Sequence, residues 1–240
     1  MIAICAHRGG ALLWPENSMR AFREAARLPI EEIECDVHLS ADGVAVIHHD
    51  ATLDRMTEAT GPIAERSAAE LAAIRIRGLD EGIPPLADLL ALVAQTGKLL
   101  RLELKPDHRN RFNPALVAAV MSDLARIPAR VRLMSFMPAA LIAAPWPEKD
   151  WLISPAVMGW HSAESLNAGA AALGCSGIGF GYEPEYLPRV LDRITGVTNI
   201  WRADEEEALR AAFALAPSSI TTDDPLLALR LREELSAPHA

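Results

Sequence analysis

Short apolar runs that end in charged or polar residues, separated by amphipathic stretches, set the rhythm of this chain. The first, Ile2-Ala3-Ile4-Cys5-Ala6, stops at His7-Arg8-Gly9-Gly10. Residues 18–28 then take helical spacing, with Met19, Phe22, Ala25 and Ala26 on one face behind an Asn17 or Ser18 cap. A second run over 33–39 passes through Asp42-Gly43 into 44–48, which predicts a hairpin rather than a helical crossover. Residues 51–85 are rich in Thr, Gly, Ala and charge, with one short helix near 68–74. Alternation resumes at Pro85, a favourable first helical position before Leu86, Leu89, Leu90 and Val93. Strands are predicted over 99–104, 131–136, 151–154, 177–182, 197–201 and 219–222. Helices are predicted over 114–126, 138–144, 163–173, 185–194, 205–216 and 225–235. With the runs at 2–6 and 33–39 this makes eight strand and helix units, which predict an α/β fold, the (β/α)₈ TIM barrel. The expected organisation is one domain over 1–240, with a small rim insertion at about 51–85 after the second barrel strand.

Composition narrows the partners. A chain of 240 residues, half of them hydrophobic, suffices for one large core, and its net charge of -9 argues against a general nucleic-acid binder. A local basic pocket for one phosphate is compatible with that charge. Cys5, Cys35 and Cys175 form an odd set without metal-finger spacing, so reduced thiols are expected. No stretch approaches the roughly 20 apolar residues of a membrane span, and no basic region precedes the first apolar run. A soluble, cytoplasmic protein without stable membrane insertion is the expectation; the pattern does not address oligomeric state.

The polar strand ends carry the candidate chemistry. In a (β/α)₈ barrel the site lies at the C-terminal ends of the strands, where His7, Arg8, Glu34, Asp36, His49, Glu103 and Lys105 all fall. Glu34 and Asp36 are two apart, so they leave the same face of their strand while Cys35 faces the helices. An isolated Glu-x-Asp is more often a solvated strand end, or paired with cations such as Arg8 and Lys105; Glu103 on the neighbouring strand tips the reading toward a metal. Three oxygen ligands suit one divalent cation, Mg²⁺ first, with Ca²⁺ or Mn²⁺ as alternatives. His7 and His49 beside such a trio are candidate proton carriers, whereas His38 and His48 read as structural. Arg8 suits a phosphate clamp and Lys105 a point charge on the same phosphate, each with an ion pair as the competing reading. Trp201 ends the seventh barrel strand, placed either to stack on a small polyol or to pack in the core. Glu16 is expected to hold its loop near Arg8.

These residues stand in an ordered series of motifs: Ala6-His7-Arg8-Gly9-Gly10, Pro15-Glu16-Asn17-Ser18, Ile33-Glu34-Cys35-Asp36-Val37, Leu39-Ser40-Ala41-Asp42-Gly43 and His49-Asp50-Ala51-Thr52-Leu53-Asp54-Arg55. Ile83-Pro84-Pro85-Leu86, Leu102-Glu103-Leu104-Lys105-Pro106, Ser135-Phe136 and Thr221-Thr222-Asp223-Asp224-Pro225 continue it. The series resembles the glycerophosphodiester phosphodiesterase family. The resemblance implies a TIM barrel with an insertion after its second strand, and metal-dependent hydrolysis of a small-molecule glycerophosphodiester to glycerol 3-phosphate and an alcohol. It also implies His7 and His49 as acid/base residues, Glu34, Asp36 and Glu103 as metal ligands, and Arg8 and Lys105 near phosphate. The family route implies attack by the substrate's own glycerol hydroxyl, giving a cyclic phosphate that water opens. Where relatives end a strand in Trp-Thr-x-Asn, this chain has Trp201-Arg202-Ala203-Asp204, which puts the alcohol-side and glycerol-side contacts in question. Two other readings stay open: a related phosphodiesterase of lysophospholipids or another specialised diester, and a barrel that binds a phosphorylated polyol without cleaving it.

Overall fold

The computed structural model describes residues 1–236. Eight parallel strands close on themselves: β1 (Ala3–Ala6), β2 (Glu32–Leu39), β4 (Leu99–Leu104), β5 (Val131–Ser135), β6 (Lys149–Ile153), β7 (Gly177–Gly181), β8 (Val197–Trp201) and β9 (Ser219–Thr222). β1 pairs with both β2 and β9, which shuts the barrel. The remaining strand, β3 (Ala45–Ile47), lies antiparallel on β2 as the hairpin pattern predicts, with Val37 opposite Ile47. The (β/α)₈ expectation therefore holds.

The helices sit outside, each presenting an apolar stripe to the strands. In α1 (Met19–Arg27), Ser18 supplies the cap by accepting from the Ala21 N–H, and Ala21, Phe22 and Ala25 are buried. Parity along the strands sorts side chains between the two faces of the barrel wall. Ile33, Cys35 and Val37 of β2 and Leu100, Leu102 and Leu104 of β4 join the helix-side core. Glu32, Glu34 and Asp36 of β2, with Arg101 and Glu103 of β4 and Lys105 just beyond it, alternate with them.

Residues of the rim insertion carry α2 (Ala68–Ala73), closed by a reciprocal Ser67–Glu70 capping box. Leu53, Ile63, Leu71, Ile76 and Ile83 form a small apolar cluster there with Val46 of β3. Helix α3 (Leu86–Thr96) begins one residue later than predicted because Pro85 is its N-cap rather than its first helical residue.

Two boundaries are corrected further along. β6 begins at Lys149, not Trp151: Lys149 and Asp150 are buried, which the apolar pattern does not reveal. The Lys149 ammonium donates to the carbonyls of Leu141 and Ala144, at the end of the α-helix spanning Pro138–Ala143, while Asp150 joins a charged cluster inside the barrel. The segment read as one helix over 185–194 is two short pieces, Leu187–Val190 and a 3₁₀ turn at Leu191–Arg193.

The lower barrel interior is ionic. Arg101 is buried and donates to Glu32, to Asp150 Oδ2 at 2.6 Å and to Ser219 Oγ at 2.8 Å. Arg132 reaches Asp150 Oδ1 at 2.9 Å and Ser176 Oγ at 2.9 Å. Two guanidiniums and two carboxylates thus balance in a polar floor. Gly177 on β7 makes room for it, since a Cβ there would lie 2.3 Å from Asp150 Oδ1.

Candidate active site

The first strand ends in a turn that only a glycine-rich sequence follows. Arg8, Gly9 and Gly10 all take positive φ, of 50°, 83° and 98°. At Gly9 a Cβ would also stand 2.8 Å from that of Ala21, so the turn packs directly on α1. This geometry points the Arg8 backbone N–H at Glu34 Oε2, 2.7 Å away, and brings its guanidinium Nε to 3.3 Å from Asp36 Oδ2.

The parity and register of β2 and β4 place Asp36 beside Glu103. Glu34, Asp36 and Glu103 are all buried, and one oxygen of each lies within 4.8 Å of the others. Burial foremost, with neighbouring carboxylates, pushes the Glu34 carboxyl well above the usual range and Glu103 up to about 7. Burial opposes ionisation of Asp36 too, but Lys105 and Arg8 hold it below that range. The Lys105 ammonium sits 3.0 Å from Glu103 and 3.3 Å from Asp36. Asp36 Oδ1 is buried without a hydrogen-bond donor. A buried carboxylate oxygen whose nearby charge is the Lys105 ammonium at 3.3 Å and which accepts no hydrogen bond, set beside two carboxylates that resist ionising together, fits a hard divalent cation.

His7 and His49 enter the same cavity, of about 210 Å³, which Arg8, Lys105 and Trp201 also line. Each imidazole is braced through Nδ1 by its own carboxylate. His7 Nδ1 donates to Asp223 Oδ1 at 2.6 Å, and its Nε2 lies 3.9 Å from Glu34 Oε2. His49 Nδ1 donates to Asp50 Oδ1 at 2.7 Å. Burial is the largest influence on His49 and takes its pKa below the ordinary imidazole value; Lys105 and Arg8 add to that lowering, against the opposing pull of Asp36 and Asp50. A carboxylate on Nδ1 fixes the tautomer and leaves Nε2 for proton transfer.

The remaining sequence expectations fall around this core. Glu16 accepts from Arg8 Nη1 at 3.1 Å, as its proposed loop-holding role requires. His38 and His48 lie behind the cavity as supports: His38 Nε2 donates to the carbonyl of His49 at 3.0 Å, and His48 Nδ1 to that of Asp50 at 2.8 Å. Burial keeps His38 neutral, with a pKa near about 4. Trp201 both lines the cavity and packs edge-on against Phe136, with ring centroids 5.4 Å apart.

Four participants escape the sequence reading. Asn17 takes φ 54° and its amide donates to Asp36 Oδ2 at 2.9 Å, whereas the helix cap itself is Ser18. Asp223 follows the last barrel strand, and Asp50 adjoins His49; an acid next to a strand-end histidine, or at another strand end, is the signal that would have found both. Arg202 adds Nε contacts to Asp204 at 2.7 Å and Asp223 at 2.8 Å, so the brace on His7 continues to the cavity wall.

The chain is similar to known proteins in both sequence and fold. A profile of the glycerophosphoryl diester phosphodiesterase family matches residues 7–144. Over 108 residues the chain is 34% identical to the glycerophosphodiester phosphodiesterase of Caldanaerobacter subterraneus subsp. tengcongensis, covering 42% of this chain and 44% of that protein. The chain spans less than half the length of the curated relatives at that identity. A solved structure from Agrobacterium tumefaciens, assigned as a glycerophosphoryl diester phosphodiesterase, superposes with a TM-score of 0.89 at 30% identity, over 98% of each chain. An Oleispira antarctica phosphodiesterase, solved with its product sn-glycerol-3-phosphate, shares the fold with a TM-score of 0.85 at 24% identity over 96% of each chain. With the family profile covering more than half its length and a near-complete superposition on that Agrobacterium structure, the chain belongs to the glycerophosphoryl diester phosphodiesterase family.

Proposed function

We propose that this protein is a metal-dependent phosphodiesterase that hydrolyses glycerophosphodiesters to glycerol 3-phosphate and an alcohol. One observation carries the reading: two carboxylate-braced histidines share a cavity with a buried acidic trio and two cations. The product solved with the Oleispira antarctica phosphodiesterase is consistent with that substrate class. Arg8 and Lys105 supply positive charge for the phosphoryl oxygens. One histidine withdraws a proton from the attacking hydroxyl and the other protonates the departing alkoxide, and the two exchange roles when water opens a cyclic intermediate. Asp223 and Asp50 hold the rings so that Nε2 performs each transfer. Glu34, Asp36 and Glu103 hold one divalent cation, Mg²⁺ first, which supplies charge stabilisation at the phosphoryl oxygens. Three free cysteines accord with a cytoplasmic setting, and among the described residues no helix is long and apolar enough to cross a membrane.

The test is release of glycerol 3-phosphate from glycerophosphocholine, glycerophosphoethanolamine and glycerophosphoglycerol with Mg²⁺, Ca²⁺, Mn²⁺ or chelator. Chelation is expected to stop turnover and added metal to restore it. Glu103→Gln should raise the metal concentration for half-maximal activity by about 10–100-fold. Turnover unaffected by chelator would refute the metal assignment. Asp223→Asn is expected to lower kcat by about 10²-fold with little change in KM, because an amide that donates to Nδ1 stabilises the wrong tautomer. Steady-state kinetics on folded variant check this; a kcat within threefold of wild type would remove Asp223 from the machinery.

A further inference from the structure

Arg55 belongs to the rim insertion and reaches residues that line or brace the site, yet nothing in the proposed chemistry uses it. Its Nε donates to Asp50 Oδ2 at 2.6 Å, while Asp50 Oδ1 accepts from His49. Its two terminal nitrogens fork onto Glu16, with Nη1 to Oε2 at 3.0 Å and Nη2 to Oε1 at 2.7 Å. Glu16 Oε1 in turn accepts from Arg8. A single planar guanidinium therefore bonds both the carboxylate that orients His49 and the one that orients Arg8. A lysine at this position would place one point charge and could not hold the three bonds in one plane. Arg55 is itself held in the insertion, where its carbonyl accepts from Arg77 Nε at 3.2 Å and the adjacent Met56 carbonyl accepts from the Arg77 N–H at 2.8 Å.

We propose that Arg55 is a positioning residue that sets His49 through Asp50 and Arg8 through Glu16, so that the insertion forms part of the working site rather than only covering its rim. This rests on the phosphodiesterase reading above. The bridge has two arms with separable outputs. The Asp50 arm governs proton transfer by His49 and thus kcat; the Glu16 arm governs the aim of Arg8 at phosphate and thus substrate binding. Misplacing a reacting group by an ångström costs on the order of 10²-fold in rate.

The experiment compares wild type with Arg55→Ala, Arg55→Gln, Arg55→Lys, Asp50→Asn and Glu16→Gln, each verified as folded by urea titration. Steady-state kinetics on the best wild-type glycerophosphodiester is accompanied by calorimetric binding of inorganic phosphate. Arg55→Ala is expected to lower kcat by about 10–100-fold and raise KM several-fold. Asp50→Asn should reproduce the kcat loss and Glu16→Gln the KM rise. Adding Arg55→Ala to the Asp50→Asn/Glu16→Gln double variant should then cost less than about threefold more, as expected for residues acting as one unit. Arg55→Lys should fall nearer to Arg55→Ala than to wild type, and methylguanidinium in solution should recover part of the Arg55→Ala kcat. A purely structural arginine would instead lower the folded fraction, leave KM unchanged and show additive losses without rescue; either that pattern or Arg55→Ala and Arg55→Gln within threefold of wild type overturns the proposal. If folded wild type cleaves no glycerophosphodiester, the phosphodiesterase reading fails separately. The phosphate affinity then decides the Arg55 bridge, which is overturned if Arg55→Ala binds phosphate as wild type does while Glu16→Gln does not.

Discussion

Replacing either His7 or His49 with alanine is expected to lower kcat on a glycerophosphodiester by about 10²–10⁴-fold, with urea midpoints close to wild type. Both rings spend Nδ1 on a carboxylate, at 2.6 Å for His7 and 2.7 Å for His49, which leaves Nε2 as the proton-transfer atom in each. They stand at the ends of different strands, β1 and β3, and both line the cavity that holds Arg8 and Lys105. In the proposed mechanism they take opposite tasks at any instant: one accepts while the other donates. The sharper expectation concerns the double variant. If the two histidines act in one concerted exchange, His7→Ala/His49→Ala falls little below the worse single variant, because losing either partner already disables the exchange. Independent contributions would multiply instead. Glycerol 3-phosphate release by folded single and double variants distinguishes these, and a single variant that keeps more than a tenth of wild-type kcat would remove that histidine from the acid/base pair. KM is the useful control, since Arg8 and Lys105 remain to meet the phosphate.

The barrel and the centre of this site were legible in the sequence for the same reason: apolar runs mark strands, and a polar residue at the end of a run in a (β/α)₈ barrel points to the working face. His7, Glu34, Asp36, Glu103 and Lys105 all met that rule, and period-two parity correctly put Glu34 with Asp36 and Cys35 with the helices. What stayed hidden breaks the apolar pattern or depends on pairings across long stretches of chain. Lys149 and Asp150 opened β6 unseen because a Lys-Asp pair reads as a loop until it has buried partners. Asp223 meets His7 across 216 positions, and Arg55 meets Glu16 across 39, so neither partnership has a local signature. Asn17 offered a misleading one: its cap-like position suggests the helix, whereas its amide holds Asp36.

The second large effect lies below the chemistry. Arg101→Met is expected to destabilise the fold by about 3–5 kcal/mol, because it removes one partner from a buried ion network and leaves the others unneutralised. The side chain is buried and holds Glu32, Asp150 and Ser219 together from three strands of the barrel. Methionine fills similar space without restoring a donor, so the loss reports the stranded carboxylates rather than a cavity. Asp150 retains Arg132, whereas Glu32 has no second cation among its described ion pairs. Removing that acid as well should therefore recover much of the loss, placing Glu32→Met/Arg101→Met closer to wild type than Arg101→Met alone. Urea unfolding of the four members of this cycle measures the coupling directly. An Arg101→Met midpoint matching wild type would mean that water or proton uptake satisfies Glu32 and Asp150 without the arginine. Recovery in the double variant would instead show that the barrel tolerates an apolar floor and that the charges there are mutually dependent. The acidic trio stands directly on this floor, since Glu34 pairs in register with Arg101. Loss of metal affinity in Arg101→Met, regained in the double variant, would then trace the placement of the trio to the balance of charge beneath it.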